Sequence, residues 1–139
     1  MRIFVSGGTG FIGGHLQRAL LTKGHSIRLL VHKRGDGIEQ GVEQVEGDIT
    51  RPETLAAAVQ GCDATINLVG IIREFPGRGM TFARLHVAGT RNVLEAAKAA
   101  GIKRHLQMSA LGTRPNATSN YHRSKFQAEE LVRGSGLDY

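Results

Sequence analysis

The sequence predicts an α/β fold in which helices cover both faces of a doubly wound parallel sheet. Short β-rich apolar runs alternate along the chain with amphipathic stretches of helical spacing. A glycine-rich stretch joins the first run to the first helical segment, and further glycines follow the later helices. Strands that alternate with helices pair in parallel, because each helix returns the chain across the sheet by a right-handed crossover.

The first three elements form one strand–helix–strand unit. Residues 2–6 are a β-rich run, and residues 26–31 are a second one. Between them, residues 10–23 place apolar side chains at helical spacing, and Gly24 follows as a helix terminator.

The next strand and helix carry weaker signals. Residues 42–46 have the pattern of a third strand. Thr50-x-x-Glu53 has the spacing of a capping box, which predicts a helix running through Val59 and closed by Gly61.

The second half of the chain repeats the alternation. Residues 64–69 are almost continuously apolar, as expected of a strand that is buried on both faces. Residues 82–100 predict a long helix that stops at Gly101, with one face made of Phe82, Leu85, Gly89, Val93, Ala96 and Ala100. Residues 103–108 predict a fifth strand, and residues 119–133 predict a last helix.

Two loops and the end of the chain complete the prediction. Residues 70–80 and 111–118 follow the carboxyl ends of strands, where open α/β sheets bind ligands. Residues 137–139 look like the start of another strand, so the sheet is expected to lack its last strand or strands.

The composition is that of one soluble domain spanning residues 1–139. Hydrophobic residues make up 40% and charged residues 22%, and no apolar run approaches the roughly 18 residues that cross a bilayer. No signal-peptide pattern is present, and the single Cys62 favours a reducing cytoplasm. The net charge of +6 is scattered and aromatic residues are 5%, which argues against nucleic-acid binding. The histidines show no metal-ligand spacing.

The stretch SGGTGFIGG, residues 6–14, contains two overlapping glycine patterns. One is Gly8-x-Gly10-x-x-Gly13 and the other is Gly7-x-x-Gly10-x-x-Gly13. Either pattern, placed between a strand and a helix, is typical of a turn that holds a nucleotide pyrophosphate at a helix N-terminus. The stretch therefore predicts a Rossmann-type dinucleotide-binding domain.

The end of the second strand bears on the choice of cofactor. An NAD site usually has an acidic residue about 20 positions after the glycines, where it binds the ribose 2′-hydroxyl. This chain has His32, Lys33 and Arg34 in that region, and Asp36 comes only beyond the strand end. Because a guanidinium can grip a 2′-phosphate that a carboxylate would repel, NADP(H) is favoured over NAD(H).

With these motifs, the chain resembles the extended short-chain dehydrogenase/reductase superfamily of the NAD-dependent epimerase/dehydratase type. More narrowly, it is similar to an atypical subgroup related to the NADPH-binding accessory subunit of mitochondrial respiratory complex I. The matching motifs are Gly7-x-x-Gly10-x-x-Gly13, Gly47-Asp48-Ile49, Asn67-Leu68-Val69-Gly70, Val87-Ala88-Gly89-Thr90-x-Asn92-Val93 and Tyr121-x-x-x-Lys125.

The resemblance selects the Gly7-Gly10-Gly13 pattern, with Gly8 as an additional small residue. It implies that Asp48 and Ile49 lie beside adenine. It also implies a small C-terminal substrate domain, which is absent from these 139 residues. Besides His32, Lys33 and Arg34, the expected dinucleotide residues are Gly7, Gly10, Phe11, Ile12, Gly13, Asp48, Ile49, Asn67, Leu68, Val69, Gly70, Ser109, Tyr121 and Lys125.

Tyr121 and Lys125 are four residues apart and therefore lie on one face of a helix. The resemblance implies that Tyr121 passes a proton to or from a carbonyl or alcohol, while Lys125 binds the nicotinamide ribose and favours the ionised phenol. Two positions depart from the family pattern: His86 stands in place of an asparagine, and Ser109-Ala110 replaces two small hydroxyl residues. Either Ser109 supplies the third catalytic hydroxyl or Ala110 leaves it missing.

Two functions follow from these expectations. The first is an NADP-dependent reductase, epimerase or dehydratase with Tyr121, Lys125 and Ser109 as catalytic residues and a small-molecule substrate. The second is a non-catalytic NADPH-binding module with a structural or redox-sensing role, for example as an accessory to a respiratory complex. Homo-oligomerisation or peripheral association with a larger complex is compatible with both functions.

Overall fold

The computed structural model describes residues 1–35 and 38–139, so Asp36 lies outside the described part of the chain. Its strands are β1 (Arg2–Ser6), β2 (Ser26–Val31), β3 (Glu43–Glu46), β4 (Ala64–Asn67) and β5 (Arg104–Gln107). Its α-helices are α1 (Phe11–Thr22), α2 (Leu55–Ala58), α3 (Gly89–Ala99) and α4 (Asn120–Arg133). Within the described ranges, no helix has the length and apolar character needed to cross a bilayer.

The five strands form one parallel sheet in the order β3-β2-β1-β4-β5. The predicted α/β class is therefore confirmed. β1 lies at the centre, with Ser6 opposite Leu30 of β2 on one side and Asn67 of β4 on the other. The strand order reverses between β1 and β4, and ligands of such sheets bind in the crevice at the carboxyl ends of these strands.

Two apolar layers hold the sheet, because alternate side chains of each strand point to opposite faces. On β1, Phe4 packs into a cluster with α2, α3 and α4, whereas Ile3 and Val5 pack into the cluster beneath α1. Both layers are fully buried at their centres, for example at Phe4 and Leu29. This two-sided burial explains the apolar runs Ile3-Phe4-Val5 of β1 and Leu29-Leu30-Val31 of β2.

The predicted capping box at Thr50 and Glu53 is wrong. The segment begins with a 3₁₀ turn, Pro52–Thr54, which no described side chain caps, and the α-helical part is only Leu55–Ala58. The side chain that organises this turn is Thr54, whose hydroxyl accepts the Asp48 N–H at 3.0 Å. Thr50 instead donates its N–H to the Asp48 carboxylate, and the Glu53 carboxylate pairs with Arg51.

The predicted helix at residues 82–100 is not α-helical throughout. Its first part, Ala83–Ala88, is a π-helical segment, and α3 begins at Gly89. The wider turn contains His86, which is buried and hydrogen-bonded to groups outside the helix. Such segments often occur at functional sites.

The third, fourth and fifth strands are shorter than predicted, and the end of the chain continues the sheet. β4 ends at Asn67, so the predicted last two residues of this strand belong to the turn that follows. After α4, Asp138 forms a parallel bridge with Arg104, donating its N–H to the Lys103 carbonyl at 2.8 Å. The predicted lead-in to a further strand is therefore found beside β5.

Candidate dinucleotide and active site

A cleft of about 540 Å³ opens at the carboxyl ends of β1, β2 and β4. Its walls are the glycine turn before α1, the end of β2, the turn after β3, and the chain after β4 through the π-helical segment. The lining residues that the sequence motifs predicted are Gly7, Gly10, His32, Asp48, Ile49, Leu68, Val69 and Gly70.

Two of the three patterned glycines are required by the packing of the chain itself. Gly7 has φ +74°, and a Cβ there would lie 2.6 Å from the Val69 nitrogen. A Cβ on Gly13 would lie 2.0 Å from the Gly8 carbonyl oxygen. Gly7 therefore lets the glycine turn pack against the chain that follows β4. Gly13 lets the first turn of α1 pack against Gly8 of the same glycine turn.

Gly10 differs, because its neighbours in the described part of the chain leave room for a side chain. It caps α1 and lines the cleft, and a Cβ there would have the Gly7 oxygen, at 3.6 Å, as its nearest described neighbour. The space beside Gly10 is therefore free at the point where unpaired backbone N–H groups of α1 begin. An anionic group such as a pyrophosphate fits this arrangement.

The additional glycine, Gly8, packs against β2 rather than facing the cleft. A Cβ there would lie 2.3 Å from Leu29 Cδ1, and the Gly8 carbonyl accepts a hydrogen bond from buried Gln17 at 2.8 Å. This placement agrees with its expected role as a small residue within the turn.

The far end of the cleft carries a charged carboxylate, Asp48. Burial acts to raise the pKa of Asp48, but hydrogen bonds from Thr50 and the neighbouring His32 and Arg84 side chains outweigh it and lower the pKa. The Thr50 N–H donates to Asp48 Oδ1 at 2.7 Å, and His32 Nε2 lies 3.7 Å from Oδ2. Asp48 is therefore an ionised hydrogen-bond acceptor at the cleft edge.

The cationic side chains that line the cleft differ from those predicted on the sequence. Lys33 and Arg34 are exposed and do not line it, whereas Arg78 and Arg84 do. The Arg84 guanidinium donates to the Gly79 carbonyl at 3.3 Å and to Thr50 Oγ1 at 3.4 Å. A Cβ on Gly79 would lie 2.3 Å from Arg84 Nη1, but no sequence motif indicated that Arg84 reaches the cleft.

Several predicted dinucleotide residues lie behind or beside the cleft rather than in its lining. Asn67 is fully buried, and its Oδ1 accepts the Ser6 hydroxyl at 2.8 Å and the Val69 N–H at 3.1 Å. It therefore supports the turn after β4 from behind, which corrects its expected place in the lining. Phe11 and Ile12 are exposed on the first turn of α1.

Tyr121, Lys125 and His86 come together at the carboxyl end of β4. Tyr121 is half-buried, and its ring packs edge-on against His86 with the centroids 5.5 Å apart. A Cβ on Gly70 would lie 3.5 Å from His86 Nε2 and 3.8 Å from Lys125 Nζ. Because Gly70 also lines the cleft, these side chains adjoin the cleft.

Lys125 is almost completely buried on α4 and donates from Nζ to the Met108 carbonyl at 2.6 Å. Burial lowers the pKa of Lys125, and the nearby Glu129 carboxylate partly opposes that change. One of the three N–H bonds of the ammonium is used by Met108, which leaves two for other acceptors.

The hydrogen bonds of His86 assign its tautomer. Nε2 accepts the Ile71 N–H at 3.0 Å, so the ring proton lies on Nδ1, which donates to Ser124 Oγ at 2.8 Å. The Ser124 hydroxyl in turn donates to the Tyr121 carbonyl at 2.7 Å. Burial and then the Lys125 charge lower the pKa of His86 to about 4. His86 is thus a neutral residue that links the loop after β4 to the helix carrying Tyr121.

The structure does not bring Ser109 to the Tyr121–Lys125 pair. Its hydroxyl donates to the Glu129 carboxylate and contacts Thr113. It lines a second cleft of about 350 Å³ on the β5 side, together with Arg133 and Tyr139. The two clefts share no lining residue within the described part of the chain.

The described residues offer no metal site. Within residues 1–35 and 38–139, no group of three or more His, Cys, Asp or Glu side chains is arranged to hold a metal ion.

Curated relatives match most of this chain. Ceramide reductase of Caulobacter vibrioides is 36% identical over 138 residues, which cover 96% of this chain and 42% of that protein. The uncharacterized sugar epimerase YhfK of Bacillus subtilis is 33% identical over 152 aligned positions, covering 100% of this chain and 69% of the relative. The chain spans less than half the length of most of the first curated relatives, 31% in a 3β-hydroxysteroid dehydrogenase/isomerase of Mycobacterium tuberculosis.

Solved structures share the fold over the whole chain. The oxidoreductase ylbE of Lactococcus lactis superposes with a TM-score of 0.83 at 26% identity, covering 100% of this chain and 66% of that one. A short-chain dehydrogenase/reductase superfamily protein of Agrobacterium tumefaciens with bound NAD gives a TM-score of 0.79 at 28% identity, covering 99% and 47%.

The family model described as NAD(P)H-binding matches residues 7–139, which contain the glycine turn, the cleft lining and the Tyr121–Lys125 helix. The chain therefore belongs to the NAD(P)H-binding family, within the epimerase/dehydratase-like branch of the short-chain dehydrogenase/reductase superfamily.

Proposed function

We propose that this protein is an NADP-dependent oxidoreductase of the reductase, epimerase or dehydratase type that acts on a carbonyl or alcohol. The observation that carries the proposal is the convergence of Lys125 and the Tyr121–His86 pair on Gly70, a residue of the dinucleotide cleft. Tyr121 as a proton donor or acceptor, with Lys125 one helical turn away beside the cleft, is the arrangement that coupled hydride and proton transfer requires.

The residues of the cleft fit a dinucleotide in three places. Gly7, Gly10 and the N-terminus of α1 would hold the pyrophosphate, because backbone N–H groups and open space meet there. Asp48 and Ile49 would contact adenine at the other end of the cleft. A bound nicotinamide dinucleotide would supply or accept the hydride.

The proton chemistry belongs to Tyr121. Its phenol would donate a proton to the substrate oxygen during reduction, or accept one during oxidation. The buried Lys125 ammonium would bind the nicotinamide ribose through the N–H groups that Met108 leaves free. Its positive charge would stabilise the phenolate that remains after proton donation. His86 and Ser124 would hold the α4 backbone at Tyr121 in place.

The preference for NADP rests on the charges at the end of β2. His32, Lys33 and Arg34 follow the strand without a carboxylate among them, and all three are exposed to an incoming 2′-phosphate. We place Lys33 and Arg34 at the mouth of the cleft as side chains that close on this phosphate.

The reducing cytoplasm is the proposed setting, since Cys62 is the single cysteine.

The activities for which the relatives are named are compatible with this proposal. They include a ceramide reductase, a 3β-hydroxysteroid dehydrogenase/isomerase and a sugar epimerase. The three names describe reduction, dehydrogenation with isomerisation, and epimerisation, which are reaction types that the proposal covers. We propose this reaction class for the present chain, and not any one of their substrates.

A matched pair of tyrosine variants of the full-length protein tests the proposal. Tyr121→Phe is expected to lower NADPH-dependent reduction of carbonyl compounds by at least 100-fold while leaving the NADPH dissociation constant unchanged. Tyr139→Phe makes the same change at an exposed tyrosine beside the second cleft and is expected to retain full activity. Equal activity of Tyr121→Phe and the wild type would contradict the acid–base assignment.

A second candidate is a non-catalytic NADPH-binding module, for example an accessory to a respiratory complex. The engagement of the Ser109 hydroxyl by Glu129 favours it, because the third catalytic hydroxyl is then missing beside Tyr121. Under this alternative, the protein binds NADPH tightly, reduces no carbonyl or quinone, and purifies with a larger complex that a dinucleotide-free variant fails to join.

A further inference from the structure

Two aliphatic side chains stand almost completely in solvent on the loops that follow β4 and β5. Ile72 is 88% exposed and Leu111 is 100% exposed. Scattered apolar residues on a surface need no explanation. These two differ because both loops are hydrogen-bonded to histidines that pack against Tyr121.

Each loop is hydrogen-bonded to a histidine that packs against the Tyr121 ring. The loop after β4 is held at Ile71, next to Ile72, by the bond to His86. The loop after β5 is held at Leu111 itself, whose carbonyl accepts a hydrogen bond from His122 Nε2 at 3.1 Å. The His86 and His122 rings lie 5.5 and 5.1 Å from the Tyr121 ring. Ile72 and Leu111 therefore lie on two loops that are hydrogen-bonded to histidines beside the proposed proton donor.

Three charged side chains of the loop after β4 have partners of their own, and one of them, Arg78, also lines the cleft. The Glu74 carboxylate accepts the Phe82 N–H at 2.8 Å. The Arg73 and Arg78 guanidinium groups lie 5.7 and 6.0 Å from the centre of the Phe75 ring. Ile72 is the exposed aliphatic side chain that this loop carries next to Ile71.

We propose that the substrate is a ketone or secondary alcohol with a hydrocarbon chain, and that Ile72 and Leu111 bind this chain beside the reacting carbon. This inference rests on the proposed function, since it takes Tyr121 as the group that meets the substrate oxygen. A polar, multiply hydroxylated substrate would leave both side chains without a partner. A hydrocarbon chain removes them from water together with its own methylene groups.

A homologous series of methyl ketones, from 2-butanone to 2-nonanone, tests the inference on the full-length protein. Two quantities are measured: kcat/KM for reduction with NADPH, and calorimetric binding to the protein saturated with NADP⁺, where no reduction can occur. Each added methylene that is buried is expected to strengthen both by about threefold to fourfold.

Three variants assign the effect to the loops. Leu111→Asn keeps the size of the side chain and adds polarity, whereas Ile72→Thr adds polarity and removes one heavy atom. Each is expected to flatten the dependence on chain length. Leu106→Thr alters another exposed aliphatic residue, which lines the second cleft, and is expected to leave the dependence unchanged.

The outcomes separate this inference from the proposed function. Reduction of all the ketones at one kcat/KM overturns the inference and leaves the oxidoreductase intact. Graded binding without any reduction supports the hydrocarbon site and overturns the catalytic proposal. A dimer that Leu111→Asn dissociates would assign the exposed side chains to a second copy of the chain, and the inference would then be wrong.

Discussion

Nε2 of His86 accepts the backbone N–H of Ile71 at 3.0 Å, and this bond joins the loop after β4 to the helix that carries Tyr121. The ring must be neutral to accept this bond, and its low pKa, about 4, agrees with that requirement. The family pattern has an asparagine at this position, so the histidine replaces one neutral hydrogen-bonding group by another. We propose that His86 positions the site and does not transfer protons.

The first prediction follows from this pKa. Because the folded-state value lies below the ordinary 6.5, the unfolded chain takes up a proton first as the pH falls. The stabilisation is fully present above pH 6.5 and is lost as the pH falls towards 4. It amounts to about 3 kcal/mol at most. Denaturant unfolding of His86→Gln across this interval should show a shallower loss of stability than the wild type.

The control for this measurement is His15→Gln, which changes an exposed imidazole on α1 and should keep the wild-type slope. Part of the slope will remain in His86→Gln, because burial also lowers the pKa of His105. An identical slope in His86→Gln and the wild type would show that His86 is not buried as a neutral group.

The second prediction separates ligand space from packing within the glycine turn. Gly10→Ala places a methyl group in the open space of the cleft, so it should weaken dinucleotide binding at least tenfold with little change in the melting temperature. Gly13→Ala should instead unfold or strongly destabilise the protein, because its methyl group would overlap the Gly8 carbonyl.

Gly14→Ala is the matched control, since its methyl group would meet no atom of the described residues within 4 Å. It should bind the dinucleotide normally and gain up to about 1 kcal/mol of stability from helix propensity. Binding is followed by the fluorescence of reduced cofactor and stability by thermal unfolding. Normal binding by Gly10→Ala would mean that the pyrophosphate lies elsewhere.

The fold could be predicted from the sequence because its main strands and helices each carry a local sequence pattern. The central strand, Arg2–Ser6, is buried on both faces, and its apolar run Ile3-Phe4-Val5 follows directly from that burial. The helix Asn120–Arg133 was predicted to within one residue because Ser119 caps it through the His122 N–H. Short segments with tertiary partners escaped prediction, as at Thr54, whose hydroxyl bonds to Asp48 rather than capping a helix.

The candidate site was only partly predictable for a similar reason. A motif indicates which residues approach the cleft, but not which side of it they face. Asn67 lies at the end of β4 as expected. Its amide oxygen, however, accepts hydrogen bonds from the Ser6 hydroxyl and the Val69 N–H behind the cleft. Arg84 reaches the cleft across Gly79 from a π-helical turn, and helical periodicity predicts no such turn.

The third prediction concerns cofactor choice. Arg34→Ala should lower the ratio of NADPH to NADH affinity by about tenfold, because a guanidinium contact to the 2′-phosphate is available to one cofactor only. Arg84→Ala should weaken both cofactors equally, since Arg84 lies at the Asp48 and Thr50 end of the cleft that both would fill in the same way. Dissociation constants measured at one salt concentration give the comparison. A ratio unaffected by Arg34→Ala would remove Arg34 from the 2′-phosphate site.

The last prediction decides between Ser109 and Ala110 as the place of the third catalytic hydroxyl. The Ser109 hydroxyl is bonded to Glu129, so Ser109→Ala should cost about 1 kcal/mol of stability and change kcat by less than threefold. If Ala110 occupies the catalytic place, Ala110→Ser adds a donor to the substrate oxygen and should raise kcat at least tenfold. Steady-state kinetics and thermal unfolding of the two variants measure both effects. A large fall in kcat for Ser109→Ala, with Ala110→Ser inert, would instead require the Ser109 side chain to leave Glu129 and turn towards Tyr121 when substrate binds.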